Sequence, residues 1–170
     1  MKLKVADALV LWVAQGFGSG WSPVMPGTFG SLVGIGWLAL LLSFENLAVF
    51  IGGQVLGIVV SIWICGRAEL ILGKSDPGCV VLDEIIAIPL CFTLPVLIFG
   101  NLLRIDSFLG KETWWLGLTG FVLFRLFDIW KPWPIGASQS LPGGWGVIAD
   151  DLLAAVWVSV IMCVICWFRG

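Results

Sequence analysis

Acidic residues occur as two adjacent pairs, each at the start of a long apolar stretch. The first pair is Asp83 and Glu84, and the second is Asp150 and Asp151. Carboxylates at the edge of a membrane segment are costly and usually serve a function, and carboxylate oxygens without His or Cys suit Mg²⁺. The alternative is that each pair only complements the dipole of a helix N-terminus, although a single acid would serve that purpose. The pairs therefore predict a divalent-cation site.

A third polar segment carries alternating charges at helical spacing. Arg125, Asp128 and Lys131 follow one another at intervals of three residues, so they share one face of a helix. A cation, an anion and a cation on one stripe can hold a phosphate and a metal together. The alternative is a structural ladder of ion pairs with lysine and arginine ends reaching toward water. Five carboxylates beside two cations are nevertheless too much charge to gather without a cation or a phosphate to hold it.

A fourth segment, residues 18–31, is a loop of Gly, Ser, Thr and Pro that runs directly into an apolar stretch. Backbone N–H groups at a helix start, together with hydroxyls, form anion sites. Thr28 and Ser31 are therefore candidate phosphate-binding residues. The alternative is an ordinary loop in which Thr28 or Ser31 caps the helix.

The composition excludes several classes of protein. Hydrophobic residues make up 59% of the 170 residues and charged residues 12%, against about 25% charged in soluble domains. The absence of His excludes a Ser-His-Asp triad and His-ligated zinc. A net charge of −2 gives no footprint for nucleic acid. The five Cys lie in apolar stretches and are interpreted as small buried hydrophobes.

The elements that must position these groups follow from the intervals without charge. A spanning helix needs about 20 apolar residues, so the chain is predicted to be an all-α polytopic membrane protein with about five spanning helices and a short N-terminal interfacial helix at 5–17. Residues 132–147 are predicted to be loop because of their Pro and Gly content. The chain, residues 1–170, is expected to form a single domain with its N-terminus retained. The predicted spans are 29–44, 47–66, 81–102, 113–130 and 148–168.

Five crossings place all four polar segments on one side of the membrane. With a cytoplasmic N-terminus, that side and the adjoining helix ends also hold more Lys and Arg than the opposite side, as the positive-inside tendency predicts. The cytoplasmic set is Lys2, Lys4, Arg67, Lys74, Arg125 and Lys131, and the opposite set is Arg104, Lys111 and Arg169. The pairs Gly30/Gly34 and Gly53/Gly57 are interpreted as helix-packing positions.

Taken together, the four segments resemble the phosphatidylglycerophosphatase A family from about residue 16 to about 156. The segment from Phe124 to Ile135 is the most specific, and the others follow the family's order and spacing. Ala87 and Ala155 stand where the family often has Gly, which concerns helix packing. The matching stretches are Ser22–Leu32, Val81–Glu84, Phe124–Ile135 and Gly143–Asp151.

The resemblance implies hydrolysis of phosphatidylglycerophosphate to phosphatidylglycerol and phosphate, with Mg²⁺ required. It also implies a helical protein of the bacterial inner membrane whose site faces the cytoplasm. Arg125, Lys131, Thr28 and Ser31 would bind substrate, and either water or an aspartate would be the nucleophile. The predicted metal ligands are Asp83, Glu84, Asp128, Asp150 and Asp151, all except Glu84 also being predicted as catalytic residues.

Two other classes of function are compatible with these residues. A broader lipid phosphate phosphatase would use the same site on other substrates. A cation transporter would instead keep its acids at mid-membrane depth and often shows repeats, whereas these acids lie at predicted helix ends beside Arg and Lys. No feature of the sequence predicts an oligomeric state.

Overall fold

The computed structural model describes residues 4–169, and Lys2 lies outside that range. Every regular element in this range is helical, which confirms the predicted all-α class. The helices are α1 Val5–Ala14, α2 Pro26–Ser43, α3 Leu47–Leu72, α4 Leu82–Leu90, α5 Thr93–Ile98, α6 Asp106–Leu109, α7 Trp114–Trp130, α8 Ile135–Ser138 and α9 Gly144–Arg169, with 3₁₀ turns at Gly16–Trp21 and Gly100–Leu102.

Within residues 4–169, three helices, α2, α3 and α9, are long and apolar enough to cross a membrane. Local signals set their ends. Pro26 opens α2, where its missing N–H costs nothing. The Asn46 side chain caps α3 by accepting from the N–H groups of Ala48 at 2.9 Å and Val49 at 3.2 Å. Gly73 ends α3 in the left-handed conformation, with φ at 63°.

The predicted continuous helix at 81–102 is wrong, because the chain breaks between α4 and α5. Pro89 and Pro95 each lack the N–H that a helix interior needs. Neighbouring side chains satisfy backbone groups at the break: Thr93 Oγ1 donates to the Pro89 carbonyl at 3.3 Å, and the Leu94 N–H donates to Ser159 Oγ of α9 at 3.0 Å. Such support is what makes a broken helix tolerable at membrane depth. α7 nearly coincides with its predicted segment, and the number of crossings stays a prediction.

Several other boundaries differ from the predictions. Helix α3 continues to Leu72, whereas the predicted span ends at residue 66. The N-terminal helix ends at Ala14 rather than at residue 17, because Gly16, Phe17 and Gly18 all have positive φ. The predicted loop at 132–147 contains the short helix α8 and the first turn of α9. The Pro and Gly residues there begin helices rather than prevent them, since the early turns of a helix do not require every N–H.

The packing centres on α4, which contacts α2, α3 and α9. A Cβ on Gly30 would lie 2.7 Å from Val81 Cβ, and one on Gly34 would lie 2.9 Å from the Ile85 carbonyl oxygen. The small residues therefore allow α2 to lie directly against α4, as the packing interpretation predicted. Ala87 and Ala155 are completely buried in the core that α4 and α9 share, so the bundle accommodates both methyl groups.

Candidate active site

The helix directions bring the polar segments to one end of the bundle. Asp83 and Glu84 lie in the first turn of α4, and Asp128 lies in the last turn of α7. Asp150 and Asp151 lie near the start of α9. The start of α2 joins them, because a Cβ on Gly27 would overlap Glu84 Oε1. Residues of α2, α4, α7 and α9, which are far apart in the sequence, thus form one cluster.

The five carboxylates form two overlapping groups of three. One oxygen each from Asp83, Glu84 and Asp151 lies within 4.8 Å of the others, and the same holds for Asp128, Asp150 and Asp151. Asp151 belongs to both groups. Asp150 and Asp151 are each only 3% exposed, so the cluster places negative charge where water cannot screen it.

Arg125 connects the two groups and the start of α2. Its Nη1 lies 2.8 Å from Asp128 Oδ2 and 3.7 Å from Glu84 Oε1. The same nitrogen donates to Ser31 Oγ at 3.4 Å, and that hydroxyl donates to the Gly27 carbonyl at 2.9 Å. Ser31 is fully buried, so its hydroxyl contacts the guanidinium of Arg125 from the protein interior.

Lys131 ends α7 in the left-handed conformation, with φ at 46°. Its Nζ donates to Asp150 Oδ2 at 2.5 Å and lies 3.9 Å from Asp128 Oδ1. Burial alone would lower the pKa of Lys131, but the hydrogen bond and the charge of Asp150, with the charge of Asp128, outweigh it and raise this pKa. Lys131 is therefore a permanent cation in the site.

A cleft of about 240 Å³ opens onto the cluster. Its lining includes Lys131 and all five carboxylates of the two groups. Arg125, Thr28 and Ser31 do not line it. The structure therefore brings the predicted metal ligands and Lys131 to one opening, and places the predicted substrate-binding residues of α2 behind Arg125. Their roles stay predictions.

Two further residues belong to the site and were not predicted from the sequence. Gln139 Nε2 donates to Asp150 Oδ2 at 3.0 Å from the loop after α8. Asp76 lines the cleft from the loop after α3. Its pKa is raised, first by partial burial and then by the charges of Asp150 and Glu69, against the opposing effect of Lys131. Asp76 precedes the Asp83 and Glu84 pair in the sequence, and this proximity was the available signal. Gln139 gave no local signal.

The donors suit a hard divalent cation. Within residues 4–169, the buried oxygens Glu84 Oε2 and Asp150 Oδ1 have no hydrogen-bond partner. Five clustered carboxylates also exceed the two cations, Arg125 and Lys131, that contact them. Unpaired buried carboxylate oxygens are costly, and bound Mg²⁺ would satisfy them with the ligand type that it prefers.

Fold and site together define a helical membrane protein with a buried acidic centre, accompanied by Arg and Lys, at one end of its bundle. The family described as phosphatidylglycerophosphatase A matches residues 12–166 of this chain. The chain belongs to that family, and it is an enzyme of the phosphatase class.

Curated relatives agree with this assignment. Phosphatidylglycerophosphatase A of Escherichia coli (strain K12) is 35% identical over 156 residues, which cover 91% of this chain and 81% of the relative. The protein of that name from Haemophilus influenzae is 33% identical over 88% of this chain and 84% of its own length. A Bacteroides thetaiotaomicron protein, provisionally named phosphatidylinositol-3-phosphatase, is 34% identical over 99% of this chain and 100% of its own. No solved structure matches the chain.

Proposed function

We propose that this protein is a Mg²⁺-dependent phosphatase that converts phosphatidylglycerophosphate to phosphatidylglycerol and phosphate in phospholipid biosynthesis. The proposal places it in the bacterial inner membrane with the site facing the cytoplasm. The proposal depends on one observation: two overlapping clusters of three carboxylates lie beside Arg125 and Lys131 at one end of the helical bundle. Family membership supplies the substrate.

The chemistry demands strong charge neutralisation, because phosphate monoesters hydrolyse extremely slowly in water. In the proposal, the five carboxylates hold one or two Mg²⁺ ions, which would polarise the phosphate and favour ionisation of water at neutral pH. Asp151 would serve both groups, since its oxygens approach the members of each.

The two cations would bind phosphate oxygens. Without substrate, Arg125 pairs with Asp128, and Lys131 pairs with Asp150. If Asp128 and Asp150 share their charge with a bound metal, Arg125 and Lys131 would be available to the phosphate. Arg offers a planar pair of N–H donors to two oxygens, while Lys acts as a point charge.

The attacking group is either water or one of the aspartates, which would form a phospho-enzyme. Because the chain has no His, a carboxylate must accept a proton if a general base is needed. Trp130, Trp133 and Trp145 lie at the site's end of the bundle, exposed to 69%, 85% and 52%. Exposed indoles favour the headgroup zone of a bilayer, where they would orient the lipid.

The first experiment measures phosphate release from phosphatidylglycerophosphate in detergent micelles, with Mg²⁺ and with EDTA. We expect Mg²⁺-dependent release that falls at least about a hundredfold in Asp128→Asn and in Asp151→Asn, because each loses a charged ligand. A folded, lipid-supplemented preparation that releases no phosphate would refute the proposal.

The full-length match to the Bacteroides relative supports a second candidate, phosphatidylinositol 3-phosphate. Both substrates present a phosphate monoester on a membrane lipid headgroup, so the same cluster could act on either. Competition between the two lipids, measured as kcat/KM for each, separates the candidates.

A further inference from the structure

An apolar cavity of about 550 Å³ lies beside the acidic cleft, within the part of the bundle formed by α1 to α4. Binding sites for small ligands typically have volumes of about 300–1,000 Å³. Two lining residues carry polar side-chain groups: the Ser61 hydroxyl already donates to the Ile58 carbonyl at 3.0 Å, and the Trp37 indole nitrogen is buried away from the cavity surface, without a partner among residues 4–169. The cavity therefore suits hydrocarbon rather than a hydrogen-bonding ligand.

Helix α4 separates this cavity from the acidic cleft and lines both. Leu82, Ile85 and Ile86 line the cavity, while Asp83 and Glu84 line the cleft. The division follows from helical geometry, since positions three and four apart share a face. One turn of α4 thus presents hydrocarbon on one face and carboxylates on the other.

The cavity extends along the helices away from the site. At the end nearer the site, the cavity is lined by the first turn of α4 together with Val13 and Phe17. At the other end, its lining on α3 reaches Gly53, near the start of that helix. The α3 wall from Ile64 to Gly53 covers about 16 Å of helix axis at 1.5 Å per residue. A lipid whose phosphate lies in the cleft would extend its tail in this direction.

We propose that this cavity holds one acyl chain of the phospholipid being hydrolysed, and that it thereby aligns the headgroup phosphate with the acidic cluster. The inference rests on the proposed function. Chain and headgroup would bind on opposite faces of α4, so binding of the chain in the cavity would fix the position of the phosphate relative to Asp83 and Glu84.

Gly36 offers a direct way to fill the cavity. It lines the cavity in the middle of α2, and a Cβ placed on it meets no described atom within 4 Å. Gly52 of α3 is equally open but is not part of the lining. Replacing either Gly by Phe also removes a residue that weakens helices, so Gly36→Phe and Gly52→Phe form a matched pair.

The experiment compares kcat/KM for dipalmitoyl phosphatidylglycerophosphate with that for its deacylated, water-soluble headgroup. We expect Gly36→Phe to lower the long-chain value by about tenfold or more, because several methylenes lose their contacts, and to leave the headgroup value unchanged. Gly52→Phe should leave both unchanged. Equal losses on both substrates, or no loss on either, would overturn the inference.

Photocrosslinking supplies a readout that does not depend on turnover. Phosphatidylglycerophosphate with a diazirine at mid-chain should label the α2 and α3 walls in the wild type, and excess unlabelled substrate should prevent the labelling. Labelling that phosphatidylethanolamine prevents equally well would identify a bulk lipid and overturn the inference. A wild type that hydrolyses no phosphatidylglycerophosphate but shows substrate-specific labelling would refute the proposed function alone.

Discussion

At the scale of single residues, Asp150 shows how the acidic cluster is oriented. Its Oδ2 accepts from both Lys131 and Gln139, while its Oδ1 is buried without a partner among residues 4–169. Two donors on one oxygen fix the carboxylate plane and leave the other oxygen for a cation. We therefore expect Gln139 to act through Asp150 as a positioning residue.

Replacing Gln139 by Leu should raise the Mg²⁺ concentration that gives half-maximal activity by about tenfold, because a less firmly oriented ligand binds metal more weakly. The measurement is phosphate release across a Mg²⁺ titration. Ser140→Ala is the matched control, since the Ser140 hydroxyl donates to the Ala137 carbonyl and Ser140 does not line the cleft. An unchanged Mg²⁺ dependence in the Gln139 variant would show that this side chain does not orient a ligand.

Ser31 is a second residue whose position leads to a testable prediction. Its buried hydroxyl accepts from Arg125 Nη1, so Ser31→Ala should lower kcat/KM about fivefold by loosening the guanidinium. If Ser31 acts only through Arg125, the same change made in an Arg125→Ala background should have almost no effect. A double-mutant cycle measures this coupling, and a full loss in both backgrounds would instead indicate direct contact with substrate.

At the scale of elements, the start of α2 lies unusually close to α4 and α7. A Cβ on Gly27 would overlap Glu84 Oε1 and lie 3.1 Å from both terminal nitrogens of Arg125. These atoms are the ends of flexible side chains, so they can move aside without unfolding the protein. The cost falls on the site, because displacement of catalytic groups by about 1 Å can reduce rates a hundredfold.

Gly27→Ala should therefore lower kcat by about tenfold to a hundredfold while the melting temperature stays close to that of the wild type. Gly52→Ala, in α3, is the control, because its methyl meets no described atom within 4 Å and Gly52 lines neither the cavity nor the cleft. Activity assays and thermal unfolding in detergent check both variants. A large fall in melting temperature for Gly27→Ala would contradict this separation of activity from stability.

The helices that the sequence predicted well are those with long uncharged intervals, such as α3 and α9, since burial in a bilayer depends on composition. The break between α4 and α5 was missed although Pro89 and Pro95 are visible, because a single Pro is often tolerated in a membrane helix. Its tolerance here depends on Ser159 of α9, a contact that only the folded chain reveals.

The candidate site also contains residues that the sequence predicted and residues that it did not. The acidic residues were predictable because charge is expensive beside apolar segments, and the structure places them together. Gln139 was not, because an uncharged side chain in a polar loop carries no such cost. The position of Ser31 behind Arg125 also could not be predicted, since it depends on how α2 packs against α4 and α7.

At the scale of the whole molecule, the cluster lies at one end of the bundle, which we propose to be its active end. Ser140 lies at this end in the loop before α9, and Lys111 lies in the loop before α7, which α7 separates from the cluster. Both are exposed and neither contributes to the cluster. The Lys and Arg distribution predicts that the active end faces the cytoplasm, so the two positions should lie on opposite sides of the membrane.

Single cysteines introduced by Ser140→Cys and Lys111→Cys, in a chain whose five native Cys are replaced by Ala, test this orientation. In intact spheroplasts, a membrane-impermeant maleimide should label the Lys111 variant and leave the Ser140 variant unlabelled until the membrane is permeabilised. The reverse pattern would place the acidic cluster outside the cytoplasm, and labelling of both in intact cells would mean that α7 does not cross. Phosphate release by both variants shows that the labelled chains are folded, because neither replacement touches the cluster.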